Sequence, residues 1–340
     1  MITNKTLRED IESFTLPPDL SEQLRGSVII VTGATGLIGS TFVRCLHALS
    51  LGIRFVLPVR NAAKASELFE DEKDAVNIIE TDLTDFFARQ ASGCDYIIHC
   101  ASPTDGQYMC AHPAETFLLP IESTRALLDY SRQYKIKGIV YLSSIEYYGQ
   151  IFDDSPVTEE CEGHIDRLSP RSSYALGKQA AEYLACCYAR EYGVPVKSAR
   201  LTQTFGAGIS PDDNRVFAQF ARSVIKGHDI ELHTEGRSAK PYCYTTDCVS
   251  AIIHILLKGR PGESYNVATP GTYVTIKQLA QLYRDSFNPS IEVSTRLKSD
   301  SGYAPETTVN LNSDKLLALG WQPRHDLKDM IGRLIEYLRQ

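Results

Sequence analysis

Tyr174 and Lys178 are the residues whose types and spacing point most directly to chemistry. On a helix, residues four apart share a face, so the lysine would lie one turn from the phenol. A free tyrosine has a pKa of about 10, too high for a base at neutral pH, but a nearby ammonium favours the phenolate. The pair therefore predicts a base that removes a hydroxyl proton, with the Ser144 hydroxyl bonded to the same oxygen. The alternative is a surface pair without a function.

A glycine-rich turn precedes this pair in the chain and follows the apolar run 28–31. Glycines at a strand-to-helix junction permit a tight turn and the close approach of a pyrophosphate, which the N–H groups of the helix N-terminus bind. The pattern predicts a dinucleotide site with these residues in contact with the cofactor: Gly33, Thr35, Gly36, Leu37, Ile38 and Gly39. A dinucleotide beside a tyrosine base indicates a redox enzyme, in which Tyr174 and Lys178 also contact the cofactor.

The residue after the second predicted strand bears on the type of dinucleotide. An acid there binds the ribose hydroxyls of NAD, whereas an arginine can bind the 2′-phosphate of NADP. Arg60 occupies that position, so NADP is an alternative to NAD, although Arg60 can also stack on the adenine of NAD. Loops after the third and fourth predicted strands supply the remaining predicted cofactor contacts, which are Asp82, Leu83, Cys100, Ala101 and Ser102.

Short apolar runs alternate with helical stretches in the first half of the chain, which is typical of a parallel sheet wound with helices. The predicted strands are 27–32, 53–59, 76–80, 95–100, 138–143 and 195–201, and the predicted helices are 37–50, 62–70, 114–134 and 173–192. After an amphipathic stretch at 215–226, short strand-like pieces at 230–233 and 291–296 alternate with predicted helices at 247–258, 275–287, 313–319 and 326–339. We expect an α/β fold with a Rossmann-type doubly wound parallel sheet over 27–202. A smaller mixed α/β substrate lobe over 203–340 would be partly interleaved with it, after an N-terminal extension at 1–26.

Composition argues against several classes of protein. The 340 residues carry a formal net charge of −7 and no cluster of Lys and Arg, which disfavours nucleic-acid binding. No apolar run approaches the roughly 20 residues that span a bilayer, and the N-terminal extension lacks the apolar core of a secretion signal. The nine cysteines form no C-x-x-C pair, which predicts reduced thiols rather than a metal site. We expect a cytoplasmic enzyme that binds neither nucleic acid, nor membrane, nor metal.

Motifs along nearly the whole chain resemble the extended short-chain dehydrogenase/reductase family, in its branch of nucleotide-sugar epimerases, dehydratases and decarboxylases. They comprise residues 32–39, 98–101 and 143–149, Tyr174 with Lys178, and residues 200–206, 242–247, 265–267 and 319–323. The resemblance implies a nucleoside-diphosphate sugar as substrate, transient oxidation at a sugar carbon, usually C4, and NAD or NADP as cofactor. It also implies a homodimer formed through the helices 114–134 and 173–192.

Within this branch, the residues after the serine distinguish the reactions. Ile145 stands where dehydratases have the acid that expels the 6-hydroxyl, so 4,6-dehydration is disfavoured. Glu146 stands at the position of a base, as in decarboxylases of nucleotide-linked glucuronate, although it could instead be a structural carboxylate. The predicted catalytic residues are therefore Tyr174, Lys178, Ser144 and Glu146. Epimerisation is the first expectation because it needs least beyond the oxidation site. The alternatives are a nucleotide-hexuronate decarboxylase, an NADPH-dependent 4-keto-sugar reductase and a catalytically silent dinucleotide-binding protein.

Three residues depart from the family pattern. Pro120 replaces an asparagine whose side-chain hydrogen bond a proline cannot make. Gln203 replaces the asparagine that usually contacts the substrate diphosphate, and Lys240 replaces an arginine that often clamps phosphate or carboxylate. The predicted substrate contacts are Gln203, Arg215, Arg237 and Lys240.

Overall fold

Strands and helices alternate along the chain in the computed structural model, which describes residues 2–89, 93–102, 106–297 and 306–340. The strands are β1 (Val28–Thr32), β2 (Arg54–Val59), β3 (Val76–Glu80), β4 (Tyr96–His99), β5 (Gly138–Ser144), β6 (Pro156–Val157), β7 (Val196–Leu201), β8 (Gln203–Phe205), β9 (Ile230–Leu232), β10 (Ala239–Lys240), β11 (Tyr242–Tyr244), β12 (Ser264–Val267), β13 (Val274–Thr275), β14 (Val293–Thr295) and β15 (Asn310–Leu311). The α-helices are α1 (Lys5–Glu12), α2 (Pro18–Leu24), α3 (Leu37–Ala48), α4 (Ala62–Leu68), α5 (Leu83–Arg89), α6 (Gly106–Ala111), α7 (Pro113–Gln133), α8 (Ser173–Tyr192), α9 (Val216–Lys226), α10 (Thr245–Lys258), α11 (Ile276–Phe287), α12 (Asp314–Leu317) and α13 (Leu327–Arg339). Short 3₁₀ helices occur at Glu70–Glu72, Ile145–Tyr148 and Pro170–Ser172.

A parallel sheet of seven strands lies at the centre of the described structure, in the order β12-β7-β5-β4-β1-β2-β3. Parallel strands buried on both faces need near-continuous apolar runs, and Ile29, Ile30 and Val31 of β1 are fully buried. The strand order reverses between β1 and β4, so a cleft opens there at the carboxyl ends of the strands. The prediction of a Rossmann-type doubly wound sheet is confirmed, and the six predicted strands all belong to it.

β12 is a strand of this sheet that the sequence pattern did not predict. It pairs in parallel with β7, with Asn266 opposite Arg200. A four-residue strand that contains Ser264 and Asn266 has little apolar signal, and only its long-range pairing identifies it. Because β12 comes from the region 203–340, the lobe and the sheet are interleaved in the sequence. The boundary at residue 202 stays a prediction.

α7 and α8 cross closely beside the sheet because Gly177 has no side chain. A Cβ atom there would lie 2.9 Å from the carbonyl oxygen of Phe117 and 3.0 Å from Cγ of Pro120. Pro120 is buried in the interior of α7, so its ring packs against the helix that carries the predicted base. Leu127 of α7 is buried in the protein's own core, whereas Leu118 is exposed. The homodimer through these helices stays a prediction.

The smaller lobe has an apolar core of its own, built mainly by α9, α11 and α13. Met330, Ile331 and Leu334 of α13 are fully buried in it. The helices predicted for this region are present close to their predicted bounds. Among the described helices, none combines the length and the apolarity that crossing a bilayer requires.

Two helices, α1 and α2, occupy the N-terminal extension, for which the sequence pattern made no structural prediction. Asp10 of α1 is buried and accepts hydrogen bonds from the Tyr244 hydroxyl at 2.5 Å and from Nε of Arg333 at 2.6 Å. Burial raises the pKa of Asp10, while Tyr244 and Arg333 lower it. These bonds tie α1 to β11 and to α13.

Candidate functional site

The glycine turn joins β1 to α3 at the carboxyl edge of the sheet. Gly33 has a φ of +64°, and a Cβ atom there would lie 2.8 Å from the backbone nitrogen of Ala101, in the loop after β4. A Cβ atom on Gly39 would lie 2.5 Å from the carbonyl oxygen of Gly33. Gly36 precedes α3, and no side chain of the described residues caps this helix, so its first N–H groups are available to an anion. Three further predicted contacts lie beside these glycines: Thr35, Leu37 and Ile38.

Gly33→Ala is expected to weaken dinucleotide binding and to destabilise the protein more than Gly52→Ala does. Gly52 is the matched control, since its φ is +69° and a Cβ atom there would meet nothing within 4 Å. Each substitution should cost about 1–2 kcal/mol for the left-handed backbone, and Gly33→Ala a further ~1–3 kcal/mol for overpacking against Ala101. Urea unfolding and calorimetry with NAD measure both effects. Equal losses of stability and of NAD affinity in Gly33→Ala and Gly52→Ala would contradict the close approach of Gly33 to Ala101.

The loop after β4 lies between the glycine turn and the predicted base. Its backbone is fixed where the N–H of Ala101 donates to Oγ1 of Thr32 at 3.2 Å. The hydroxyl oxygen of Ser102 is buried close to the phenol of Tyr174, but no described group lies in full hydrogen-bonding geometry with it. A buried hydroxyl without a partner calls for an explanation, and a bound ligand group provides one.

Tyr174 lies in the first turn of α8, almost fully buried, with the hydroxyls of Ser144 and Ser102 close to its phenol. Burial raises the pKa of Tyr174 to about 12, and the negative charge of Glu146 raises it as well. Ser144, Ser102 and the cation of Arg171 lower it. The phenol is thus placed to exchange a proton with a hydroxyl group in the cleft, and the charges around it decide when it ionises.

Lys178 lies one turn further along α8 and is buried. Its Nζ donates to the carbonyl oxygen of Leu142 at 2.7 Å and lies 5.7 Å from the centroid of the Tyr174 ring. Burial lowers the pKa of Lys178 to about 7. Among the described residues, the cation with the strongest effect on the pKa of Tyr174 is Arg171. The tuning role of Lys178 therefore stays a prediction.

The 3₁₀ helix Ile145–Tyr148 positions Ser144 and Glu146 at the end of β5. The Ser144 hydroxyl accepts a hydrogen bond from the N–H of Glu146 at 3.2 Å. The carboxylate of Glu146 pairs with Arg171, whose Nη2 lies 3.0 Å from Oε1 and 2.9 Å from Oε2. The sequence analysis did not select Arg171. The sequence feature that could have indicated Arg171 is its position three residues before Tyr174, which places its positive charge one helical turn from the phenol.

A buried ion pair holds this 3₁₀ helix against the sheet. Nε of Arg200 in β7 donates to the carboxylate of Glu182 at 2.9 Å, and its Nη1 donates to the Tyr148 hydroxyl at 2.8 Å. The Tyr148 hydroxyl in turn donates to Oδ1 of Asn266 in β12 at 2.7 Å. The segment that carries Glu146 is thereby fixed to two strands.

Lys240 on β10 brings a second cation to Glu146. Burial lowers the pKa of Lys240, the negative charge of Glu146 raises it, and the positive charge of Arg171 lowers it. The charges of Glu146 and Arg171 therefore both act on Lys240. No carboxylate of the described residues lies within ion-pair distance of Lys240. The charge of Lys240 is therefore available to an anionic ligand.

The other predicted substrate contacts lie on other elements of the smaller lobe. Arg215 precedes α9 and pairs with Asp213, Nη2 to Oδ2, at 2.6 Å. Arg237 is exposed between β9 and β10, and Gln203 is half-buried at the start of β8. Their roles stay predictions.

Two predicted cofactor contacts lie at the ends of β2 and β3. Arg60 follows β2 and is exposed. Asp82 accepts hydrogen bonds from the backbone N–H of Thr84 at 2.9 Å and from its hydroxyl at 2.7 Å, next to Leu83 at the start of α5. Both segments stand at the same edge of the sheet as the glycine turn. Their contacts with a dinucleotide stay predictions.

These features fit a bound dinucleotide. The available N–H groups of α3 suit a pyrophosphate, and the absent side chain of Gly33 lets the turn pack against the loop after β4. The buried Ser102 hydroxyl lies close to the Tyr174 phenol, where the reactive ring of such a cofactor would meet a substrate.

The chain is similar in sequence and structure to enzymes that act on nucleotide sugars. UDP-glucuronic acid decarboxylase 6 of Arabidopsis thaliana is 26% identical over 341 residues, which cover 96% of this chain and 94% of the relative. A UDP-glucose 4-epimerase from Thermotoga maritima, solved with UDP-glucose, has a TM-score of 0.77 at 23% identity and covers 92% of this chain and 98% of its own. A dTDP-glucose 4,6-dehydratase from Streptomyces venezuelae, solved with NAD, has a TM-score of 0.75 at 24% identity and covers 92% of this chain and 97% of its own.

The family match rests on more than half of the chain. The model of the NAD dependent epimerase/dehydratase family covers residues 29–268, from β1 to just beyond β12. That span contains the glycine turn, Ser144, Glu146, Tyr174 and Lys178. The predicted resemblance to the nucleotide-sugar branch of extended short-chain dehydrogenases is confirmed, as are the predictions of an enzyme and of a nicotinamide dinucleotide. The chain belongs to the NAD dependent epimerase/dehydratase family.

Proposed function

We propose that the protein decarboxylates a hexuronic acid carried on a nucleoside diphosphate, in a redox-neutral reaction that begins at a ring hydroxyl. The observation that carries this proposal is the half-buried Lys240, which has no ion-pair partner among the described residues and whose charge interacts with the Glu146–Arg171 pair, the same pair that acts on Tyr174. A partly buried cation gains from an anionic partner, and a sugar carboxylate can supply one. A neutral hexose offers no such group.

The chain's own residues divide the proton transfers. Tyr174 takes the proton of the hydroxyl that is oxidised, and Ser144 holds the same oxygen by a hydrogen bond. A bound nicotinamide dinucleotide would accept the hydride and later return it. Oxidation at C4 makes the C6 carboxylate that of a β-keto acid, which loses carbon dioxide readily. Lys240 would hold the carboxylate, and Glu146 is placed to move a proton at the neighbouring carbon.

Relatives support the class of substrate and the cofactor. The relative from Arabidopsis is by name a decarboxylase of UDP-glucuronic acid, the epimerase structure contains UDP-glucose, and the dehydratase structure contains NAD. We infer a uridine diphosphate sugar and NAD for this chain. NADP stays the alternative because Arg60 follows β2.

Epimerisation, the first expectation from the sequence, is the second candidate. It is favoured by the arrangement of Ser144, Tyr174 and Lys178, which suffices for oxidation and reduction at C4 without a carboxylate on the sugar. A 4-keto-sugar reductase and a silent dinucleotide-binding protein stay further alternatives. The reductase alone would consume added NADPH.

Mass spectrometry of the dinucleotide released from the purified protein, followed by assays with UDP-glucuronate and UDP-glucose, tests the proposal. We expect retained NAD, and release of carbon dioxide with formation of a UDP-pentose from UDP-glucuronate. Conversion of either substrate to its C4 epimer without loss of carbon would support epimerisation instead. An empty protein that binds and consumes NADPH would support the reductase.

Lys240→Met is expected to raise KM for UDP-glucuronate about 10–100-fold, because a hydrogen bond between charged groups contributes roughly 1.5–3 kcal/mol. Lys226→Met is the matched control, since Lys226 is exposed at the end of α9. Steady-state kinetics with carbon dioxide as the measured product give both constants. An unchanged KM for UDP-glucuronate in Lys240→Met would show that Lys240 does not bind the carboxylate of the substrate.

A further inference from the structure

Arg171 has no role in the reaction as proposed above, yet it contacts the site's acidic group directly. It lies in the 3₁₀ helix Pro170–Ser172, one turn before Tyr174, and its Nη2 reaches both carboxylate oxygens of Glu146 at 2.9 Å and 3.0 Å. About a third of each side chain is exposed, 37% for Arg171 and 32% for Glu146, so a ligand can reach the pair. Nη1 of Arg171 also lies 4.0 Å from Sδ of Met109 in α6.

Glu146 acts on two groups that the reaction needs. It raises the pKa of Tyr174, whose ionisation makes the base, and it attracts the cation of Lys240. Arg171 opposes both effects, since it lowers the pKa of Tyr174 and that of Lys240. The titratable and charged groups that face Tyr174 and Arg171 from the surrounding elements are Glu146, Lys178, Lys240, Tyr141 and Cys110.

We propose that Arg171 is a positioning residue that neutralises Glu146, so that the Tyr174 phenol can ionise and Lys240 stays available for the anionic group of the substrate. The part that concerns Lys240 rests on the proposed function, whereas the part that concerns Tyr174 does not.

Loss of Arg171 would leave Glu146 to interact with Lys240, whose charge it already affects. The uncompensated carboxylate would then pair with Lys240 and occupy the place assigned to the substrate carboxylate. The negative charge of Glu146 would also keep Tyr174 protonated, because it raises the pKa of the phenol. Removal of the Glu146 charge as well should reverse both effects, which a merely structural role of Arg171 does not predict.

The first test follows the titration of Tyr174 by NMR of the NAD-loaded protein labelled with ¹³C at Cζ of tyrosine, with Tyr174→Phe to assign the signal. We expect Arg171→Gln to raise the apparent pKa of Tyr174 by about 1–2, as loss of a compensating charge does. Arg171→Gln/Glu146→Gln should return it to the wild-type value or below, and Arg171→Lys should lie between. An unchanged pKa in Arg171→Gln, or a double variant that stays as high as the single one, would overturn the proposal.

The second test compares binding of UDP-glucuronate and UDP-glucose by calorimetry in the same variants. We expect Arg171→Gln to weaken UDP-glucuronate at least about 10-fold more than UDP-glucose, and the double variant to recover most of that loss. Equal weakening of both ligands would overturn the part of the proposal that concerns Lys240. A wild-type protein without any preference for UDP-glucuronate would count against the proposed function, while the titration result would still decide the role of Arg171 at Tyr174.

Discussion

Tyr174→Phe is expected to lower kcat by about 10²–10⁴-fold, the usual contribution of a positioned acid–base group. The substitution removes one oxygen atom from a side chain that is almost fully buried, so the ring packing is kept. The proton of the substrate hydroxyl then has no acceptor at the place where Ser144 and Ser102 converge. The bound NAD, measured by mass spectrometry, and the melting temperature should stay near their wild-type values, which separates lost chemistry from lost structure.

Tyr183→Phe is the control on the same helix, because Tyr183 is 73% exposed and lies outside the cleft. It should leave kcat unchanged. Near-wild-type turnover in Tyr174→Phe would contradict the assigned base. Wild-type protein that binds NAD but converts no nucleotide sugar would favour the catalytically silent alternative, since a binding protein needs no phenolate.

Arg200→Met is expected to lower the free energy of unfolding by about 3–5 kcal/mol, the cost of leaving one member of a buried ion pair without its partner. The side chains of Arg200 and Glu182 are 5% and 7% exposed, so water cannot replace the lost bonds. The Tyr148 hydroxyl also loses its donor, which loosens the 3₁₀ helix that carries Glu146. Urea denaturation measures the stability, and kcat should fall with it.

A double variant and an exposed pair provide the controls for this loss. Arg200→Met/Glu182→Leu removes both charges and should be less destabilised than Arg200→Met, because no buried charge then lacks a partner. Arg25→Met breaks the exposed pair with Glu22 and should change the free energy of unfolding by less than about 1 kcal/mol. If Arg200→Met and Arg25→Met lowered the free energy of unfolding by similar amounts, burial of the Arg200–Glu182 pair would not explain the loss.

The central sheet and the glycine turn could be predicted because local sequence determines them. Residues 28–31 are an unbroken apolar run, as a strand buried on both faces requires, and Gly33 follows after Thr32. Tyr174 and Lys178 share a helix, so their spacing alone places them together. β12 could not be predicted in this way, since a short strand with two polar residues is defined by its pairing with β7.

The charges of the candidate site were harder to predict because they meet from distant parts of the chain. Glu146 follows β5, Arg171 precedes α8 and Lys240 lies in the smaller lobe. The sequence analysis selected Glu146 and Lys240 through the family resemblance, whereas Arg171 belonged to none of the motifs that carried it, and only its position three residues before Tyr174 pointed to it. Only the fold shows that Glu146 and Arg171 both act on Tyr174 and that both also act on Lys240.

The bonds of Asp10 have a consequence for the order in which the nascent chain is completed. Asp10 lies 234 positions before Tyr244 and 323 positions before Arg333, and it bonds to both. A chain emerges from the ribosome with its N-terminus first, so α1 is synthesised long before either partner exists. Before α13 has emerged, the buried carboxylate of Asp10 lacks its cationic partner Arg333. α1 is therefore made long before its bonds can be completed, and the last of them waits for the synthesis of α13.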